Sequence, residues 1–178
     1  MEWNVVATLK NQAYREGVAI LRNYGEVEKT AFYNLVVMQV ADPAAFMAEL
    51  DRLPELHPAA EEALASVITV SSSFTFQDVE EFEDKSLPAV AAFAPQLAGK
   101  AFHIRLHRRG FKGRLKTPEV EGRLCAHLID LLQAAGTPGR ITFTDPDAIL
   151  ALETVGTRAG LSLWTREELA RYRFLKID

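Results

Sequence analysis

Apolar runs and polar stretches alternate along the first 75 residues in a way that predicts three strands and two helices. Strands are expected where short runs rich in apolar and β-branched residues stand between turn residues, at residues 4–9, 32–40 and 66–75. Helices are expected where apolar side chains recur three or four positions apart, at residues 13–23 and after residue 42. The second helix has a start signal, because Asp42 can cap it and Pro43 suits its first position.

The rest of the chain predicts the order helix, helix, strand, helix, strand, strand, strand, short helix. Val79 and Phe82 share a face of the first of these helices. Thr117 is expected to cap the long helix, which Gly136 ends. The expected bounds are residues 77–86, 86–97, 102–107, 117–136, 140–144, 149–155, 161–164 and a last helix from residue 165. Two strand–helix–strand passages followed by this mixed order predict an α+β protein with an N-terminal ferredoxin-like domain.

The strand expected at residues 102–107 has a polar face of unusual composition. Three apolar residues alternate there with two histidines and an arginine, which is the period of a half-buried strand. The two sets are Phe102, Ile104 and Leu106, and His103, Arg105 and His107. We expect the apolar set to enter the core and the other set to face outward, together with Arg109.

Charge is distributed unevenly along the chain, and this changes the interpretation of that strand. Residues 1–99 hold 6 basic and 15 acidic side chains, whereas residues 100–178 hold 14 basic and 9 acidic ones, within a net charge of −4. The segment 102–116 carries six Lys or Arg residues and no carboxylate. Such a segment suits a polyanionic partner, because each phosphate that it neutralises releases condensed counterions. A solvated, charge-protected strand edge is the alternative.

The remaining composition excludes several classes of protein. No apolar run reaches the length of about 20 residues that a membrane helix needs, and the first residues lack the pattern of a signal peptide. The chain is therefore expected to be cytoplasmic. Cys125 is the single cysteine, so no internal disulfide can form, and its place beside Leu124 predicts a core thiol rather than a nucleophile.

Signatures of catalysis are weak. The sequence has no GxxxxGK[ST] or GxGxxG phosphate loop and no GxSxG turn, so no cofactor is expected. His103 and His107 stand four apart on a predicted strand, roughly 13 Å from end to end, too far apart to share one zinc ion. Asp145, Asp147 and Glu153 could hold Mg²⁺, but two aspartates around a proline are more typical of a turn. We therefore expect no metal site.

Four segments of the second half resemble the THUMP domain, an RNA-binding module of several tRNA-modifying enzymes. They are SFTFQDVEEF at 73–82, FHIRLHRRGFKG at 102–113, TDPDAILALETVGTRAGLSLWTRE at 144–167 and RYRFLKID at 171–178. The resemblance implies a THUMP-like domain at residues 76–178, preceded at 1–75 by the ferredoxin-like domain that usually accompanies it.

That resemblance also implies a function. In the family, THUMP domains grip tRNA, often at its acceptor end, and place a methyltransferase, pseudouridine synthase or 4-thiouridine synthetase domain on the target nucleotide. This sequence leaves no room for such a domain, which makes it similar to stand-alone members that present tRNA to an RNA cytidine acetyltransferase. N4-acetylcytidine would then be the modified base. The resemblance places Glu153 at an acidic family position without giving it a role.

The expected RNA-binding residues are cationic or imidazole side chains of the basic segment and one arginine further along. They are Arg105, His107, Arg108, Arg109, Lys112, Arg114, Lys116 and Arg158. The leading hypothesis is thus a non-catalytic tRNA-binding protein. Two alternatives stay open: an RNA-modification enzyme with a site built from Asp145, Asp147 and Glu153 together with the histidines, and a protein-interaction scaffold whose basic face meets an acidic protein.

Overall fold

Two compact units make up the computed structural model, which describes all 178 residues. One unit consists of Met1–Ser71 with Glu168–Asp178, and the other of Ser72–Glu167. Each unit has one β-sheet, and the chain has six α-helices, so the α+β class is confirmed. The domain limits of 1–75 and 76–178 stay a prediction. No α-helix is both long and apolar enough to cross a membrane.

The first unit is a four-stranded antiparallel sheet with three helices. Its strands are β1 (Val5–Leu9), β2 (Glu26–Lys29), β3 (Leu35–Gln39) and β4 (Leu64–Thr69), and its helices are α1 (Tyr14–Leu21), α2 (Pro43–Leu56) and α3 (Ala60–Ala63). The strand order is β2-β3-β1-β4. Asp42 caps α2 as expected, because its carboxylate accepts a hydrogen bond from the Ala45 N–H at 3.0 Å.

One sequence-based expectation for this part of the chain is wrong, and one strand was not predicted. The run at residues 66–75 is not one strand, because it divides into β4 and β5 (Ser72–Thr75), which belong to different sheets. The Val70 N–H still donates to the Asn4 carbonyl, which extends the β1–β4 ladder by one pair, whereas Ser72 already pairs with Leu161 in the other sheet. β2 was not expected, because it is a charged, mostly exposed edge strand without an apolar pattern.

The second unit is a five-stranded mixed sheet with two long helices packed on one face. After β5 come α4 (Val79–Ala91), a 3₁₀ turn (Ala94–Leu97), β6 (Ala101–His107), α5 (Thr117–Ala134), β7 (Arg140–Ile141), β8 (Ala148–Val155) and β9 (Arg158–Thr165). The strand order is β5-β9-β8-β6-β7, with β6 parallel to β7 and β8. A last helix, α6 (Arg166–Arg171), leads back to the first unit.

Helix boundaries in this unit differ from expectation at two points. The helices expected at 77–86 and 86–97 are one helix followed by a 3₁₀ turn, since Phe82, Ser86 and Val90 form a continuous buried stripe through the expected break. Thr117 is not the cap of α5 but its first residue, and Lys116 occupies the cap position without a side-chain bond. Gly136 follows the end of α5 with a φ of +75°, as expected of a left-handed terminator.

Candidate nucleic-acid interface

The apolar face of β6 is buried as the sequence predicts. Phe102, Ile104 and Leu106 lie in the core between the sheet and helices α4 and α5. His103, however, does not face outward, because its side chain is fully buried. A ring nitrogen of His103 lies 2.9 Å from the Thr142 carbonyl, and its ring lies 5.0 Å from that of Phe143. The segment after β7 therefore covers the position where the sequence predicted an exposed histidine.

Arg105 is half-buried and belongs to an ion pair. Its guanidinium lies 3.5 Å from the Glu121 carboxylate on α5. Burial raises the pKa of Glu121, while the charge of Arg105 and a hydrogen bond from the Leu106 N–H act in the opposite direction. β7 pairs only with Ala101 and Phe102, so this edge of β6 is unpaired beyond Phe102. The contact with Glu121 on α5 places the Arg105 guanidinium near that open edge.

A fully buried carboxylate organises the end of β6. Glu153 lies directly opposite His107 in the parallel β6–β8 ladder, and none of its side chain is exposed. One carboxylate oxygen lies 2.5 Å from Nδ1 of His107, and the other accepts a hydrogen bond from the Arg109 guanidinium. A buried carboxylate requires such partners. The structure therefore assigns Glu153, whose role the sequence left open, to holding His107 and Arg109.

The hairpin formed by β8 and β9 anchors the backbone of the loop that follows β6. The Arg109 N–H donates to the Thr154 hydroxyl at 3.0 Å, and the Arg109 carbonyl accepts from the Gly156 N–H at 2.9 Å. Gly110 has a φ of +106°, and a Cβ there would lie 3.4 Å from the Gly156 Cα. The loop is therefore fixed at its start. Arg108 closes this turn by donating to the Gly110 carbonyl.

Exposed cations are concentrated in the rest of that loop. Lys112 and Arg114 are exposed and form no ion pair. The Arg114 guanidinium lies 4.7 Å from the centre of the Phe111 ring, and Lys116 lies 3.6 Å from the exposed carboxylate of Glu119. Arg158, at the start of β9, donates to the Ser73 hydroxyl at 2.7 Å. The RNA-binding role of all eight residues stays a prediction. Their surroundings differ, because some of these side chains are exposed and others are half-buried.

We define the cationic loop as residues 111–116. Its three basic side chains are exposed, whereas those of Arg105, His107 and Arg109 are half-buried against carboxylates. The positive charge that the sequence placed on the strand is thus largely balanced in the fold. A polyanion would meet the cationic loop first, because its charges are both accessible and less compensated.

The carboxylates of the alternative enzyme site are not brought together. Asp147 accepts hydrogen bonds from the Ala101 N–H at 2.8 Å and from Arg166 at 3.1 Å, and Arg166 also pairs with Asp145. The bond from Ala101 is the main cause that lowers the pKa of Asp147. Glu153 lies six residues further along β8, about 20 Å away. No group of side chains suits a metal ion, so a shared magnesium site is not supported.

Cys125 packs as the sequence predicts. It is buried in the core of the second unit. Burial raises the pKa of its thiol, although a hydrogen bond from the Ile104 N–H acts in the opposite direction. A thiol with a raised pKa is mostly protonated at neutral pH and is a poor nucleophile.

Comparison with known proteins gives matches at the level of sequence and of fold. The tRNA modification GTPase MnmE of Parvibaculum lavamentivorans is 33% identical over 132 residues, which span 70% of this chain and 30% of the GTPase. No protein-family model matches the chain.

Solved structures resemble most of this chain. They include PH1313 of Pyrococcus horikoshii (TM-score 0.56, 11% identity), TrmN of Thermus thermophilus (0.53, 18%) and a 4-thiouridine synthetase in complex with RNA and ATP (0.54, 13%). These matches cover 90%, 90% and 92% of this chain, and 54%, 44% and 42% of the solved chains. The chain therefore shares a fold with part of each protein and spans about half of their length or less.

A 4-thiouridine synthetase is among the enzymes in which the THUMP resemblance leads us to expect this module. The structural match to one therefore supports the prediction of a THUMP-like fold. The assignment as an acetyltransferase adaptor stays a prediction.

Proposed function

We propose that this chain is a non-catalytic tRNA-binding protein that presents tRNA to a separate modification enzyme. The observation that carries the proposal is the cationic loop, which places Lys112, Arg114 and Lys116 at the surface of a unit with a THUMP-like fold. Accessible cations that lie close together favour binding to a phosphate backbone, because each neutralised phosphate releases condensed counterions. Both the 4-thiouridine synthetase–RNA complex and the tRNA modification GTPase carry RNA in their names, which supports RNA as the partner.

The first unit fits a supporting role in this proposal. Its element order is β-α-β-β-α-α-β with an antiparallel sheet, and we assign it as the ferredoxin-like domain that the resemblance implies. Fold alone does not define function, so its part in gripping tRNA rests on the resemblance.

The proposal includes that this chain does not itself modify RNA. The acidic residues considered for an active site are engaged in Arg166 pairs or buried beneath His107 and Arg109. The sequence has no GxxxxGK[ST] motif, so the GTPase activity in the name of MnmE is not proposed here. On the resemblance, the partner enzyme is an RNA cytidine acetyltransferase.

Deletion of this protein tests the proposal. Mass spectrometry of tRNA nucleosides from the deletion strain is expected to show the loss of one modification, with N4-acetylcytidine examined first. Tethering a substrate raises its effective concentration at a catalyst, so the modification should return when the protein is supplied again. The purified protein alone should modify no tRNA. An unchanged nucleoside profile would refute the adaptor, and product from the purified protein alone would make it an enzyme.

Recognition of tRNA as such is a separate prediction. We expect structured tRNA to bind more tightly than duplex DNA of equal charge, because phosphate electrostatics is common to both and only shape and 2′-hydroxyl contacts distinguish them. Titrations of labelled tRNA and duplex at one salt concentration measure the difference. Equal affinities would mean that the protein binds polyanions without specificity.

A further inference from the structure

Phe111, the first residue of the cationic loop, has an unusual backbone conformation. Its φ is +52°, in the left-handed region, where the Cβ of a bulky residue crowds the backbone. The neighbouring positions with positive φ are Gly110 and Gly113, and a glycine adopts that region without such a cost. A phenylalanine stays there only where its surroundings fix it.

The core of the second unit fixes the Phe111 ring from one side. The centre of this ring lies 5.2 Å from that of Phe76, which is fully buried. Phe76 in turn packs against the Phe82 ring at 5.0 Å, and its N–H donates to the Thr157 carbonyl at 2.9 Å. Aromatic rings at such separations attract each other beyond the area that they bury. Phe111 is therefore anchored to a rigid part of the unit.

The turn of the cationic loop is built on Phe111 from the other side. The Phe111 carbonyl accepts hydrogen bonds from the Arg114 and Leu115 N–H groups, both at 3.0 Å. The Arg114 guanidinium lies over the Phe111 ring, 4.7 Å from its centre, where a cation is attracted to the face of an aromatic ring. Leu115 is buried and returns the chain to the core. Arg114 is thus exposed to a ligand and yet held in place.

Such an arrangement affects the strength of binding without a contact to the ligand. A long side chain loses rotamer freedom when it binds, and this loss lowers affinity. A cation that is already held in the free protein loses less. The ring of Phe111 supplies that hold for Arg114, and the Phe111 carbonyl supplies it for the turn that carries Lys112.

We propose that Phe111 is a positioning residue for RNA binding. Wedged between Phe76 and Arg114, its ring holds the turn of the cationic loop and the Arg114 guanidinium ready for a phosphate. This inference rests on the proposed function, because it requires that the cationic loop binds RNA. It adds to the expected cations an uncharged residue on whose packing their affinity depends.

Titrations of labelled tRNA with the full chain test this role. Phe111→Ala should lower affinity about 3- to 10-fold, because the turn and Arg114 then have to be ordered on binding. The slope of log K against log salt should stay the same, since the complex keeps its phosphate contacts. Phe111→Tyr, which keeps the ring, should bind as the wild type does. In an Arg114→Ala background, Phe111→Ala should cost clearly less, because the two residues act together.

Phe74→Ala is the matched control. Phe74 is also partly buried in the aromatic cluster, 6.1 Å from Phe76, but it lies outside the cationic loop. Its variant should lower the melting temperature as Phe111→Ala does and leave tRNA affinity unchanged. Equal losses of affinity in the two variants would overturn the inference, because the effect would then be a general loss of stability.

Three further results are decisive. Unchanged affinity of Phe111→Ala overturns the inference, and so does an equal effect of Phe111→Ala with and without Arg114, which would mean that the ring contacts RNA itself. If Phe111→Ala does not fold, Phe111→Leu enters the same cycle, because it fills most of the volume but offers Arg114 no aromatic face. If the wild type itself does not bind tRNA, the proposed function is refuted, and the inference with it.

Discussion

Glu153→Ala is expected to lower the free energy of unfolding by about 3–5 kcal/mol, which is the usual cost of breaking a buried ion pair by removing one partner. Glu153 is fully buried and contacts both His107 and Arg109. Without the carboxylate, the half-buried guanidinium of Arg109 loses its counter-charge, and His107 at the end of β6 loses its side-chain contact with β8. Urea unfolding followed by circular dichroism measures the change.

A matched control is available on the surface. Glu119 forms an exposed pair with Lys116, with side chains 69% and 62% exposed, and Glu119→Ala should cost no more than about 1 kcal/mol. The two variants remove the same charge, but Glu119 is exposed in the first turn of α5 whereas Glu153 is buried in β8. A Glu153→Ala protein as stable as Glu119→Ala would mean that the buried contacts with His107 and Arg109 contribute nothing to folding.

The contact with Glu153 also gives Arg109 a part in the stability of the fold. The sequence placed Arg105 and Arg109 on an outward face, where truncation should weaken RNA binding and leave the fold intact. The structure shows Arg109 held by Glu153 and Arg105 held by Glu121. Arg109→Ala is therefore expected to destabilise the protein, because it leaves the Glu153 carboxylate buried with one partner fewer. Any loss of RNA binding in that variant has to be separated from loss of structure.

Local periodicity was sufficient to predict the buried, apolar face of β6. It did not predict what surrounds the polar face. Alternation shows which side chains share a face of a strand; it does not show whether something covers that face. His103 is buried because Thr142 and Phe143 lie over it, and they come from a segment about forty residues away. Glu153 meets His107 through a parallel strand pairing of equally long range.

One signal in the sequence does point to Glu153. It is the single charged residue in the run AILALETV, which the fold buries almost completely as β8. A carboxylate within such a run needs a cationic partner, and the nearby basic segment offers several. The pattern could not decide which of them pairs with it, because that depends on strand register. The edge strand β2 was missed for the opposite reason, since its charges conceal any pattern.

The double variant Lys112→Ala, Arg114→Ala is expected to lower tRNA affinity roughly 10- to 100-fold with little change in stability. Both side chains are exposed and belong to the cationic loop without forming ion pairs. Their removal leaves no buried charge behind. If each contacts one phosphate, the plot of log K against log salt should flatten by about 1.4–1.8. Binding titrations over a range of salt concentrations provide both quantities.

The matched control is the double variant Arg22→Ala, Lys29→Ala, which makes the same change in net charge on exposed side chains of the first unit. If tRNA responds only to net charge, both variants should lose affinity equally, and the cationic loop would have no special part in binding. If the loop is the phosphate contact, the control should keep most of its affinity and its salt slope. The comparison is decisive because general attraction depends on total charge, whereas direct contacts depend on where the charges lie.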